Sequence, residues 1–166
     1  MKRLLILCVA LLLASCGYHM GGFKKTSMQN YNTFCIAMFE NHSVYPNISM
    51  QVTTALADQL QRDGTYRMTS PDACDFEVSG VVRSVSASGL RTNAGDTYVS
   101  SEIGLTVYVN YVVRDTHTGK TVTSGTVHAE GSYFNKTGNV QTARDSALSY
   151  AARKAAELIV QNLTIP

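Results

Sequence analysis

The sequence predicts an α+β fold: a two-layer sandwich with two helices packed on one face of a four-stranded mixed sheet, in the order β-α-β-β-β-α. Three observations carry this. A short apolar run at 33–39 precedes a stripe of apolar residues at helical spacing. Residues 99–113 alternate apolar and polar along most of their length, and the last third of the chain is rich in alanine. The chain has 166 residues, 45% hydrophobic and 16% charged, which excludes disordered and low-complexity classes and suits one domain.

Met1-Lys2-Arg3 is a short basic start, and Leu4 to Leu13 is apolar throughout. Ten residues of helix span about 15 Å, half a bilayer core, so this is a secretory signal peptide over 1–15 and no transmembrane anchor. It ends Leu13-Ala14-Ser15-Cys16, which resembles the lipobox of bacterial lipoproteins. That resemblance makes Cys16 the lipid-attachment residue and cleavage before it the processing step. Gly17 in place of Asp implies sorting to the outer membrane, anchored on the periplasmic side. Without Lys2 and Arg3, twelve basic residues face twelve acidic ones, so no general attraction to nucleic acid is expected.

Residues 16–32 are polar and glycine-containing and read as a lipid-anchored tether, at most about 50 Å when extended. A single domain is expected over 33–166. Thr33 to Phe39 is too short for a helix and reads as a buried strand. A turn-rich passage, 40–47, follows. Ile48, Val52, Leu56 and Leu60 then mark one face of a helix that begins after Pro46-Asn47 and stops at Asp63-Gly64. Phe76, Val78 and Val82 alternate in a strand to Val85, and Ser88-Gly89 with Asn93-Ala94-Gly95-Asp96 predicts a long hairpin loop over 88–97.

In the next strand Val99, Ile103, Leu105, Val107, Val109, Tyr111 and Val113 share one face. Ser100, Glu102, Thr106, Tyr108 and Asn110 share the other, so the sheet has one covered and one polar side. Asp115 to Lys120 is a turn, Thr121 to Tyr133 a returning strand. Ala143, Ala147, Leu148, Ala151, Ala155, Leu158 and Ile159 line a long final helix. A right-handed crossover makes the first two strands parallel, and the later links are hairpins. The loops 40–47, 88–97 and 134–139 then share one pole, and 64–75 with 115–120 share the other with the tether.

Catalytic patterns are missing. His19, His42, His117 and His128 lack metal-ligand spacing, so no metal or cofactor is expected. His128-Ala129-Glu130 reads as a strand segment, since the cysteine half of a deaminase signature is absent. No nucleophile elbow, P-loop or dinucleotide fingerprint occurs. An Asp72/Asp75 acid pair is a weaker reading than a solvated turn. Cys35 and Cys74 remain after processing, and either a disulfide between them or a small buried core thiol at Cys35 is consistent with the sequence. The pole shared by the hairpin carries Tyr45, Arg91, Tyr98, Tyr133, Phe134 and Lys136. Cations among aromatic rings suit an anionic amphiphile.

Cys16-Gly17-Tyr18-His19, the early Gly21-Gly22 pair, Phe39-Glu40-Asn41 and Tyr45-Pro46 together resemble the lipopolysaccharide-assembly lipoprotein family (LptE-like). So do the Asp63-Gly64-Tyr66 helix exit, Phe76-Glu77-Val78-Ser79-Gly80, the Asp115-to-Lys120 turn and the alanine-rich last helix. The resemblance implies a non-enzymatic lipoprotein that plugs a large outer-membrane β-barrel translocon (LptD-like), assists its assembly and binds lipopolysaccharide. It points to Arg91 and Lys136 for lipid A phosphate or sugar contacts. A peptidoglycan-synthase activator shares the anchor and an Ala-Met-Phe-Glu-Asn-like strand, but such proteins carry a longer, proline-rich tether. A periplasmic hydrolase would need the missing nucleophile and base.

Overall fold

A computed structural model describes residues 24–93, 96–135 and 139–165. The strands are β1 (Thr33–Ile36), β2 (Glu40–Asn41), β3 (Arg67–Met68), β4 (Phe76–Asn93), β5 (Asp96–Asp115) and β6 (Thr121–Phe134), and the helices are α1 (Ile48–Asp63) and α2 (Val140–Thr164). They form one sheet in the order β3-β1-β4-β5-β6, with β2 also on β4. As expected, β1 and β4 are parallel, through Phe34↔Phe76 and Ile36↔Val78, and β4-β5-β6 is an antiparallel meander. The four expected strands become six because β2 and β3 add two residues each. Segments that short carry no periodic signal; they form because β1 and β4 leave parallel edges for them to pair with.

α1 lays Ile48, Val52, Leu56 and Leu60 fully into the core, worth about 1.5–3 kcal/mol each. It ends where Gly64 takes a left-handed conformation (φ 72°) and its N–H donates to the Leu60 carbonyl. α2 starts at Asn139, whose side-chain oxygen accepts the Thr142 N–H at 3.2 Å. Its buried alanines let it approach β6 so closely that a Cβ on Gly131 would stand 2.3 Å from the Ala147 carbonyl oxygen. Both helices share one sheet face with Leu105, Val107, Val109, Tyr111 and Val113 buried beneath them.

Two expectations are corrected. Residues 24–32 lie against the domain: Met28, in a short 3-10 turn, is fully buried, so the packed part begins before residue 33. The hairpin is a far longer ladder than its glycines suggest. Ser88 pairs with Gly104 and Gly89 with Ile103, where a loop was expected, because register shifts at Val82/Ser84 and Gly89/Arg91 absorb the irregularity without ending the strand.

Candidate functional site

The uncovered sheet face is a grid of cross-strand rows. From the hairpin end inward they read Arg91–Glu102–Phe134, Ser88–Gly104–Ser132, Ser86–Thr106–Glu130, Ser84–Tyr108–His128 and Val81–Asn110–Thr126. Six of these fifteen residues are Ser or Thr, and several neighbours across the strands touch. Thr126 Oγ1 donates to Asn110 Oδ1 at 3.0 Å, and Tyr108 stacks on His128 with centroids 6.0 Å apart. Glu102 organises the outer end: its Oε2 lies 3.2 Å from Arg91 Nε, and its Oε1 accepts from Ser132 Oγ at 2.8 Å. Arg91 remains 73% exposed although Glu102 is only 14% exposed.

The expected pole is only partly assembled. Arg91 and Phe134 share the outermost row, and Phe134 is 52% exposed. Tyr133 turns to the helix side and is buried opposite Ile103. Tyr45 is not with them. β2 pairs with β4 at Val81 and Val82, and from Val82 to Arg91 the strand advances about 30 Å at ~3.3 Å per residue. The 40–47 loop therefore flanks the middle of β4, correcting the expectation of a shared pole. Lys136 and the Tyr98 side chain lie outside the described residues, as do Cys16 and His19. Sequence reasoning missed Glu102, Gly104 and Ser132, since which residues share a row emerges only once the register of the long hairpin is known.

At the opposite pole, where the N-terminal segment joins, carboxylates hold backbone. Asp75 Oδ2 accepts the N–H groups of Asn32 (2.8 Å) and Thr33 (2.9 Å), which hold its carboxyl below the usual range. Asp75 of the Asp72/Asp75 pair thus ties the N-terminal segment to the start of β4. Asp115 accepts the His117 and Thr118 N–H groups and the Tyr31 hydroxyl, which lowers its pKa in the same way. Tyr66 donates to the Leu163 carbonyl, and burial pushes its phenol up to about 12. Phe76 is ringed by Tyr31, Phe34 and Tyr66. A Cys35–Cys74 disulfide, Cα–Cα 5.6 Å, ties β1 to the chain just before β4. Both cysteines are buried, and of the two readings the structure has the bonded one. Asn41, in the Phe-Glu-Asn segment, donates to the Tyr45 and Pro46 carbonyls and so folds the loop leading into α1.

Among the described residues no cluster of His, Cys, Asp and Glu is arranged to hold a metal, and no helix is long and apolar enough to cross a membrane. The arrangement is a helix-backed sheet that presents a polar face and a long β4–β5 hairpin.

The chain belongs to the lipopolysaccharide-assembly family, LptE, whose family model matches residues 31–163. This is a family of non-enzymatic, envelope-associated lipoproteins. No curated protein sequence matches the chain. Solved structures show the same fold at low identity. A lipoprotein from Caulobacter crescentus is 18% identical with a TM-score of 0.53, over 76% of this chain and 88% of that one. The PelC dodecamer from Paraburkholderia phytofirmans is 16% identical with a TM-score of 0.56, over 87% and 95%. The hypothetical protein CT253 from Chlamydia trachomatis is 7% identical with a TM-score of 0.59, over 81% and 96%.

Proposed function

We propose that this chain is an outer-membrane lipoprotein that plugs an LptD-like β-barrel translocon, helps assemble it, and binds lipopolysaccharide as it passes to the outer leaflet. The family match over 31–163 carries the reading. In it, residues 1–15 are removed, Cys16 bears the lipid, and the short segment that follows holds the domain at the periplasmic side of the membrane. Two lipid chains already make such an anchor stable. An uncovered polar sheet face supports a plug, because a barrel lumen is polar and would meet that face with hydrogen-bonding groups. Arg91 supports lipopolysaccharide binding: an exposed guanidinium at the hairpin end can form paired hydrogen bonds with a phosphate. Lys136 is proposed as the second cation of that contact.

The test is purification of the tagged, lipidated protein from its own outer membrane in gentle detergent. A stoichiometric large β-barrel in the eluate is the expected result. A penicillin-binding synthase in its place would move the protein to the synthase-activator class, and the protein alone would defeat the plug reading.

A further inference from the structure

Gly104 is the one position in the grid of rows where the central strand offers no side chain. Its row neighbours are both serines, Ser88 on β4 and Ser132 on β6. Leu90 fills the space over the glycine, its side chain 3.2 Å from where a Cβ would stand. Beside it the face holds a notch of about 250 Å³, lined by Ser88, Leu90, Gly104, Thr106, Glu130 and Ser132. Tyr150 of α2, 47% exposed, reaches the same notch.

The chemistry of this lining selects among ligand classes. An anion is disfavoured, because Glu130 lines the notch and Glu102 sits one row away with Arg91 already drawn to it. A purely apolar group would cover the Ser88 and Thr106 hydroxyls and the Glu130 carboxylate and take them from water, at a cost of about 1–3 kcal/mol for each group left buried and unsatisfied. A neutral polyol meets every group. Its vicinal hydroxyls can donate to the Glu130 carboxylate and exchange hydrogen bonds with Ser88, Thr106 and Ser132. Its C–H face can rest on Leu90 and Tyr150. The notch is large enough for one pyranose ring.

We propose that the Gly104 notch is a sugar subsite that holds one ring of a lipopolysaccharide oligosaccharide, separate from the phosphate contact at Arg91. The identity of the glycan rests on the proposed function; the polyol chemistry of the notch does not. The probe is the lipid-free core oligosaccharide released by mild acid from the organism's own lipopolysaccharide. It is titrated against the full lipidated protein in detergent and followed by saturation-transfer NMR, with intact lipopolysaccharide measured in parallel. Thr106→Val removes a hydroxyl at nearly constant size, and Glu130→Gln keeps the size and an acceptor oxygen while removing the charge.

Ring-proton signals from the oligosaccharide on the unaltered protein are expected, with affinity about five- to tenfold lower in Glu130→Gln, as the replacement of a charge-assisted hydrogen bond by a neutral one implies. Circular dichroism of both variants checks the fold. Intact lipopolysaccharide binding without oligosaccharide signals would overturn the subsite and leave the proposed function standing. Oligosaccharide binding without intact lipopolysaccharide binding would do the reverse. Signals that persist unchanged in both variants place the sugar elsewhere and overturn the assignment.

Discussion

Glu102 does two things with one carboxylate. Its Oε2 draws in Arg91 and its Oε1 takes the Ser132 hydroxyl. An exposed ion pair of this kind is worth about 0–1 kcal/mol, so a doubly charged phosphate can outcompete it, but only after displacing the carboxylate. Glu102→Gln keeps an acceptor for Ser132 and removes the competing charge. If Arg91 meets lipid A phosphate, this variant binds lipopolysaccharide about two- to fivefold more tightly, and Arg91→Ala added to it abolishes the gain. Equal affinity for Glu102→Gln and the unaltered protein, in a fluorescent lipopolysaccharide titration, would remove Arg91 from the contact. At the other pole Asp75 makes a pH prediction. Its pKa is lowered by the backbone N–H of Asn32, then that of Thr33, so the folded state prefers the ionised form. Its contribution is present above the ordinary carboxylate pKa and is lost as pH falls through the lowered folded value. Asp75→Asn therefore melts below the unaltered protein at neutral pH, and the gap narrows in acid. A gap constant down to pH ~2 would show that the carboxylate is not what ties the N-terminal segment down.

At the scale of elements, α1 was legible to its last residue, since four apolar residues at one spacing and an Asp-Gly stop leave little choice. β5 was legible for the same reason at period two. The hairpin was not, and the reason is physical. Ser88 and Gly89 have turn propensity, yet a ladder partner on β5 outweighs it, and bulges take up the mismatch. Because the loop was expected too early, the rows across the sheet could not be read, and with them went Glu102, Ser132 and the notch beside Gly104. β2 was missed through its length alone, and that loss displaced Tyr45, since β2 fixes the 40–47 loop beside Val82. The seat of α2 on β6 gives this scale its test. Gly131→Val puts a branched side chain where even a Cβ would be 2.3 Å from a helix carbonyl. The helix must lift, at about 1–3 kcal/mol, read as a lower urea midpoint. A midpoint unchanged from the unaltered protein would show that α2 is not seated so closely.

Across the whole molecule the two ends are built differently. Toward the hairpin end β4 and β5 are joined by ladder bonds and the Arg91–Glu102 pair. The N-terminal end is tied by the Asp75 and Asp115 turns, the Phe76 aromatic group and a disulfide that spans 39 residues of sequence. Under the proposed function this distribution suits a chain anchored through its N-terminus, because the cross-links gather at the end from which the anchor would pull. It also separates stability from binding. Replacing both cysteines by alanine releases a long loop in the unfolded chain and costs about 2–4 kcal/mol. Lipopolysaccharide affinity at a temperature where the variant is fully folded should stay as it was, because the disulfide lies at the pole opposite Arg91. Mild reductant should leave the native bond intact, since both sulfurs belong to buried residues and a thiolate reaches them only through unfolding. A double variant that folds normally but binds lipopolysaccharide severalfold more weakly would mean that the two ends are coupled through the β4–β5 ladder, which runs from the Phe76 group to Arg91.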